Sequence, residues 1–213
     1  VAPTNSFRNL FLRIFYNYSF KISDEIIVQQ AHVAKLIPNS SKVNIIGKIN
    51  YSEITQSKKT DFIVIFENIK NKNPKFTLDL IIELSKLDYK INVIDSDNYL
   101  QKQKNIKFIS ENITLFKDID YSQLQNLFRQ NLTYIHSSEY ETVGLPIYEA
   151  LNNGLNVVMP DREYFQLDVD NVFKYKSNNL ESAVKACKIS ATKQQSKSVN
   201  VPIYYEDWNL NFQ

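Results

Sequence analysis

Two glutamates beside a glycine-containing turn are the side chains best placed to do chemistry. Glu141 and Glu149 have seven residues between them, and a helix is predicted to begin near Pro146, where the missing N–H of proline costs nothing. A helix N-terminus offers free N–H groups and partial positive charge to a phosphate, and Gly144 lets the backbone approach it. Since a carboxylate would repel the phosphate, both glutamates are better suited to accept hydrogen bonds from hydroxyls, such as those of a nucleotide sugar. The spacing alone equally fits an ordinary turn with two solvated glutamates.

The elements around this turn predict how the glutamates are positioned. Residues 132–136 form a short apolar and aromatic segment typical of a buried strand. Gly154 is a natural helix stop, and 155–159 predict the next strand. The turn therefore lies at the carboxyl end of a parallel strand, where open α/β sheets bind their ligands.

The turn resembles the E-x7-E signature of retaining GT-B glycosyltransferases, and the matched residues are Ser138-x-x-Glu141-x-x-Gly144-Leu145-Pro146-x-x-Glu149-Ala150-x-x-x-Gly154-x-x-Val157-Val158. The resemblance implies that Glu141 contacts the donor sugar during catalysis and that Glu149 holds the ribose hydroxyls. It also implies that amides around Gly144 and Leu145 meet the sugar and the diphosphate. The remaining residues of the turn are then assigned to donor binding: Thr142, Val143 and Pro146.

One loop departs from the family pattern. Relatives carry an arginine and, five positions later, a lysine, and both cations stabilise charge on the leaving diphosphate. Lys72 matches the lysine and is assigned a catalytic role, but Glu67 stands where the arginine is expected. Lys70 could supply the cation from a shifted register, although lysine lacks the planar fork of arginine. The alternatives left open are a rearranged phosphate clamp, a weak or inactive enzyme, and a solvated loop of mixed charge.

Four further residues have weaker assignments. A strand is predicted at 106–109, and the resemblance then implies that Ser110 and Ile113 hold the nucleotide base. His136 ends the strand before the turn and is interpreted as a structural residue rather than a catalytic base. Asp161 follows the next strand and could line the cleft.

Composition excludes several other classes of protein. The chain has 213 residues with 43% hydrophobic and 13% aromatic content, ample for a packed core. Only three glycines are present, which disfavours P-loop and GxGxxG nucleotide folds, and a net charge of +2 gives no nucleic-acid signal. The single Cys187 and the two histidines predict neither an intrachain disulfide nor a metal site, which fits a reducing cytoplasmic compartment. No apolar run approaches the roughly 20 residues of a membrane-spanning helix.

The order of predicted elements gives the fold class: α/β, with a Rossmann-like parallel sheet flanked by helices. By resemblance this is the C-terminal half of a GT-B fold. Strands are predicted at 25–30, 43–47, 62–66, 91–94, 106–109, 132–136, 155–159 and 171–173, and helices at 76–87, 121–129 and 180–192. Polar segments at 52–60 and 193–200 are predicted to be a loop and a flexible surface link.

Three segments are expected. Residues 1–40 would be the tail of an N-terminal acceptor domain, 41–195 the nucleotide-sugar-binding domain, and 196–213 a polar link with a terminal segment. Because the chain opens with Val1 rather than methionine, we expect a fragment or a processed product. An amphipathic helix is predicted between Phe7 and Tyr18, which either packs on a neighbouring domain or lies on an anionic membrane surface.

The preferred hypothesis is the donor-binding part of a retaining glycosyltransferase. It would move a hexose from a nucleoside-diphosphate sugar to a glycan or lipid-linked acceptor, with no metal or other cofactor and no nucleic acid as partner. Polysaccharide biosynthesis in the cytoplasm, at the inner face of the membrane if the first helix binds lipid, is an expectation from the resemblance. The alternative is a catalytically weak or inactive glycosyltransferase-like domain that serves as a binding or scaffold module.

Overall fold

The computed structural model describes residues 18, 26–28, 43–45, 50–53, 60–96, 99–102, 111–141, 144–162, 164–165, 169–193 and 197–200. The chain divides into two units, one of residues 1–48 with 204–213 and one of residues 49–203. In the first unit, two short strands pair in parallel, β1 (Ile26–Val28) and β2 (Val43–Ile45). In the part of the chain described here, no helix is long and apolar enough to cross a membrane.

The second unit alternates strands and helices. Its strands are β3 (Asn50–Glu53), β4 (Thr60–Phe66), β5 (Ile91–Asp95), β6 (Ile113–Phe116), β7 (Asn131–Ile135), β8 (Asn156–Pro160), β9 (Val172–Tyr175) and β10 (Lys197–Asn200). Its α-helices are α1 (Pro74–Lys86), α2 (Tyr99–Lys102), α3 (Tyr121–Gln130), α4 (Leu145–Asn152) and α5 (Leu180–Thr192). A 3₁₀ turn at Lys70–Lys72 precedes α1.

Six strands form one sheet in the order β6-β5-β4-β7-β8-β9, and every neighbouring pair is parallel. From β4 the chain first builds outward through β5 and β6, and then returns to place β7 on the other side of β4. The direction of winding therefore reverses between β4 and β7. In open α/β sheets such a reversal leaves a crevice at the carboxyl ends of the two strands, where ligands bind.

Helices cover both faces of this sheet, as parallel strands require because their connections run across the faces. On one face, alternate residues of β4 pack with buried residues of α1 and α5. On the other face Phe128 of α3 meets Tyr134 of β7 edge to face, with 5.6 Å between ring centroids. The predicted α/β fold, a parallel sheet flanked by helices, is confirmed.

Two polar segments that were predicted to lack secondary structure contain strands. The predicted loop at 52–60 overlaps the end of β3 and the first residue of β4. The predicted flexible link at 193–200 contains β10, which pairs antiparallel with β3. Both predictions were wrong because strand pairing is made by backbone groups. A strand outside the main sheet can therefore form without the apolar alternation from which strands are predicted.

The edge strand β6 was missed as well. The strand predicted at 106–109 lies outside the described residues, and the edge of the sheet is formed by 113–116 instead. Of the predicted N-terminal helix only Tyr18 is described, helical and exposed. The domain limits at 40 and 195 stay predictions.

Candidate functional site

Two loops meet at the carboxyl ends of β4 and β7. The loop after β4 carries the 3₁₀ turn that ends at Lys72, and Asn73 follows in the left-handed conformation (φ 56°) before Pro74 opens α1. The amide of Glu139, in the loop after β7, donates to the carbonyl of Asn71 at 2.8 Å. The hydroxyl of Ser137 donates to the carbonyl of Lys72 at 3.3 Å. These bonds fix the loop that carries Lys72 against the loop that carries Glu141.

Lys72 and Glu141, the two residues assigned catalytic roles, are in direct contact. Lys72 Nζ lies 2.7 Å from Glu141 Oε1 and 3.5 Å from Glu67 Oε2. Burial alone would raise the pKa of Glu141, but hydrogen bonds from Lys72 and Ser138 outweigh burial and hold that pKa below its usual value. Glu141 is therefore an ionised acceptor at neutral pH. Glu67, in place of the expected arginine, competes with Glu141 for the same ammonium group.

Helix α4 begins at Leu145, one residue before the predicted start. Gly144 is its N-cap, with φ 72° and ψ 48°, and Pro146 lies in the first turn. The left-handed backbone at Gly144 is a conformation that glycine adopts without strain. In this first turn Pro146 has no N–H and the amide of Ile147 donates to the carbonyl of Gly144 at 2.9 Å. The amides of Gly144 and Leu145 are therefore the ones that an anion at this helix N-terminus could use.

Glu149 lies in the second turn of α4 and is half-buried. Burial raises the pKa of its carboxyl group, and among the described residues none hydrogen-bonds or pairs with it. The charges of Glu141 and Glu149 both act on buried Tyr134, whose pKa is raised well above its usual value first by burial and then by these carboxylates. Glu141 lines the pocket described below, whereas Glu149 does not.

The structure shows an ion-pair cluster beside Glu141 that sequence reasoning missed. Arg162, just after β8, pairs with Glu139 and also donates to Ser177 Oγ at 2.8 Å. Ser177 in turn donates to Glu139 Oε1 at 2.7 Å, and Asn73 Nδ2 donates to the same oxygen at 3.2 Å. The carboxylate of Glu139 thus connects the loops after β4, β7, β8 and β9. The available signal was the position of each polar residue directly after a predicted strand.

A pocket of about 780 Å³ opens beside this cluster. It is lined by Glu139, Tyr140, Glu141, Asp161, Arg162, Tyr164, Phe165 and Lys174. Tyr140 is exposed, while Tyr164 is buried and donates from its hydroxyl to the carbonyl of Ser138 at 2.8 Å. Carboxylates, cations and aromatic rings together are groups that bind polyhydroxylated ligands. Asp161, a weak candidate from sequence, lies here and pairs with Lys174 at 3.2 Å.

His136 lies at the end of β7 and is almost fully buried. Its Nδ1 is 3.1 Å from the hydroxyl of Tyr134, and its Nε2 is 3.6 Å from Glu141 Oε1. Burial, only partly offset by the charge of Glu141, lowers the pKa of His136 to about 4. The imidazole is therefore neutral at physiological pH.

One predicted site residue is in the wrong place. Ile113 is the first residue of β6 and is level with Ile91, the first residue of β5, so it lies at the amino end of the sheet. It is buried in the core and cannot hold a base at the carboxyl end. The assignment failed because Ile113 was taken to follow a strand at 106–109.

Three other predicted donor-binding residues lie outside the described residues: Ser110, Thr142 and Val143. Among the described side chains, no group of three or more His, Cys, Asp or Glu could hold a metal ion.

Comparison with known proteins gives the family. The family model described as "Glycosyl transferases group 1" matches residues 47–188. This chain belongs to the glycosyl transferases group 1 family. The match covers both loops of the candidate site. No curated protein sequence is similar enough to count as a match.

Solved glycosyltransferase structures share the fold, which is the Rossmann-like α/β arrangement of GT-B enzymes. The pneumococcal O-GlcNAc transferase GtfA, in complex with UDP and GlcNAc, is 19% identical with a TM-score of 0.59. A mutant of TarM from S. aureus, in complex with fondaparinux, alpha-GlcNAc-glycerol and UDP, is 16% identical with a TM-score of 0.63. The matches cover 84% and 85% of this chain but 39% of each of the other chains. This chain therefore spans about two fifths of these relatives.

Substituting Gly144 by alanine should destabilise the unit, because its φ is left-handed and the added Cβ would lie 3.0 Å from Ile147 Cδ1. We expect a loss of about 1–2 kcal/mol in the free energy of unfolding, measured by urea titration. Ile147→Val removes the atom in contact. The double variant Gly144→Ala/Ile147→Val should therefore lose less than the sum of the two single losses. Simple additivity would show that backbone strain alone acts at Gly144.

Neutral His136 makes stability depend on pH. Its pKa is about 4 in the folded chain and about 6.5 when unfolded, so the unfolded state binds more protons between these values and stability rises with pH. The free energy of unfolding should fall as the pH is lowered from about 6.5 to about 4, by at most roughly 3 kcal/mol from this group. Urea titrations of the wild type and His136→Gln at pH 4.5, 5.5 and 7 measure the difference. Equal slopes with pH in both proteins would contradict the assignment.

Proposed function

We propose that this chain is the donor-binding part of a retaining glycosyltransferase that uses a nucleoside-diphosphate sugar. The observation that carries the proposal is the 2.7 Å contact between Lys72 Nζ and Glu141 Oε1. It places a cation and an ionised carboxylate together at the reversal point of the sheet, in a chain that belongs to a glycosyl transferase family. The cation suits a diphosphate, and the carboxylate suits the hydroxyls of the sugar beside it.

The roles follow from the chemistry of each group. The diphosphate would lie at the first turn of α4, against the amides of Gly144 and Leu145, with Lys72 on the leaving oxygen. Glu141 would accept from a hydroxyl of the hexose, and Glu149 from the ribose. The loop Lys117–Asp120 follows β6 at the carboxyl end of the sheet, and we assign the base to it in place of Ile113.

Transfer with retention would proceed on one face of the sugar. The acceptor hydroxyl oxygen bonds to the anomeric carbon as the bond from that carbon to the diphosphate oxygen breaks, and the hydroxyl proton passes to the departing diphosphate. Lysine and helix amides stabilise the leaving charge, so no metal is required. The acceptor would be a glycan or a lipid-linked sugar at the cytoplasmic side of a membrane, bound by the rest of the protein. UDP is bound in the pneumococcal GtfA structure and ADP in the catalytic domain of starch synthase IV from Arabidopsis thaliana, so these are the first nucleotides to test.

Nucleotide binding tests the proposal directly. Isothermal titration calorimetry of this chain with UDP, ADP, GDP and their sugars should show weak binding of at least one. Glu149→Ala should weaken that binding about tenfold, as expected for the loss of a hydrogen bond to a charged group. Glu83→Ala, in which an exposed glutamate of α1 is removed, is the control and should bind as the wild type does. No binding of any nucleotide by the wild type would contradict the proposal.

A second function is favoured by the charge around Lys72. Two carboxylates and one ammonium group, Glu67, Glu141 and Lys72, carry a formal net charge of −1. Such a group attracts a diphosphate poorly. The alternative is a glycosyltransferase-like domain that has lost its phosphate clamp and serves as a binding or scaffold module. Donor hydrolysis or transfer by the full-length protein distinguishes this alternative from the enzyme.

Removing the charge of Glu67 should improve diphosphate binding if the site is a donor site. Glu67→Gln frees Lys72 from one of its two carboxylates, and we expect UDP to bind about threefold to tenfold more tightly by calorimetry. The matched control Glu83→Gln removes a distant glutamate in α1 and should leave the affinity unchanged. If neither the wild type nor Glu67→Gln binds UDP, ADP or GDP, the scaffold alternative is favoured.

A further inference from the structure

His136 is a buried titratable group beside Glu141 that has no role in the proposed function. Its side chain is only 4% exposed, yet its Nε2 has no hydrogen-bond partner among the described residues. The backbone of His136 is held on both sides, since its amide donates to the carbonyl of Val158 at 2.8 Å and its carbonyl accepts from the hydroxyl of Tyr175 at 3.3 Å. Tyr164 packs edge to face on the ring with centroids 6.0 Å apart. A buried polar atom left without a partner costs stability, so its retention needs an explanation.

The contacts of the ring select one tautomer. Tyr134 is buried, and no other acceptor for its hydroxyl proton is found in the described part of the chain. When the hydroxyl of Tyr134 donates its hydrogen bond to Nδ1, Nδ1 is the acceptor. The single proton of the neutral ring is then on Nε2. That N–H then faces Glu141 Oε1 at 3.6 Å. The opposite tautomer would leave the hydroxyl proton unused and aim a lone pair at a carboxylate.

The carboxylate of Glu141, which Ser138 also hydrogen-bonds, has two further donors of different kinds facing Oε1. Lys72 holds it at 2.7 Å, and Nε2 of His136 lies 0.9 Å farther away. In the proposed function Lys72 turns to the diphosphate when the donor binds. The carboxylate then loses its closest partner at the moment when its orientation toward the sugar matters most. The neutral N–H of His136 can replace Lys72 as the hydrogen-bond donor to this carboxylate without bringing a positive charge to it.

We propose that His136 is a positioning residue whose Nε2–H donates a hydrogen bond to the carboxylate of Glu141 when Lys72 moves to the donor diphosphate. This inference rests on the proposed function and deepens it by assigning a residue that acts through Glu141. The imidazole does not itself touch the donor. Its effect is therefore greatest for a ligand that carries the sugar, because Glu141 contacts the sugar and not the nucleotide.

The tautomer is tested without any activity. The chain has two histidines, His32 and His136, so ¹⁵N-histidine NMR gives two ring systems and His32→Gln identifies them. The Nε2–H tautomer is expected for His136 between pH 6 and 8, and Tyr134→Phe, which keeps the aromatic ring, should shift it toward a mixture of tautomers. Predominant Nδ1–H or a protonated ring in the wild type would overturn the proposal.

The role is tested by comparing two ligands, UDP and UDP-GlcNAc, by calorimetry. His136→Phe should weaken binding of UDP-GlcNAc roughly fivefold to tenfold more than it weakens binding of UDP, because both ligands draw Lys72 away from Glu141 but only UDP-GlcNAc uses the positioned carboxylate. His136→Gln, whose amide can present an N–H near the same place, should restore most of the loss. Equal weakening of both ligands would show a merely structural role and overturn the proposal. Failure of the wild type to bind either ligand would contradict the proposed function and this role with it, whereas the NMR result reports on the tautomer alone.

Discussion

The contact between Lys72 and Glu141 depends on one constraint, the reversal of winding between β4 and β7. The two residues are 69 positions apart in the chain, and they meet because the sheet places the carboxyl ends of these two strands side by side. The hydrogen bond from the amide of Glu139 to the carbonyl of Asn71 fixes the distance between the two loops. Any change that separated β4 from β7 would therefore remove the site.

Charge is distributed unevenly around this contact. Lys72 is shared between two carboxylates, whereas the guanidinium of Arg162 is engaged by Glu139 and Ser177 at the next loop. Glu67 stands after β4 where the resemblance implies an arginine, and no described cation takes that position beside Lys72. In the proposed function a diphosphate would have to displace Glu141 from Lys72 before it could bind there. Neutral His136, whose Nε2 lies 3.6 Å from Glu141 Oε1, is the group to which we assign the displaced carboxylate.

The sequence predicted the fold well where apolar patterns were strong. The helix at 180–192 and the strand at 91–94 came from periodicity, and the turn at Gly144 came from its glycine and proline. Periodicity could not find β10, because its residues are mostly polar and its pairing is made by the backbone. Strand β6 was missed because the apolar run at 106–109 was taken as the strand instead. Distances between side chains could not be predicted from the sequence. Neither the pairing of Lys72 with Glu67 nor the burial of His136 was predicted, because both depend on how the strands pack.

A crystal structure of this chain with bound UDP would test the central claim most directly. The account predicts a diphosphate at the first turn of α4, with Lys72 Nζ moved from Glu141 Oε1 to a phosphate oxygen and the carboxylate of Glu149 on the ribose. A diphosphate bound elsewhere, with Lys72 still paired with Glu141, would contradict it.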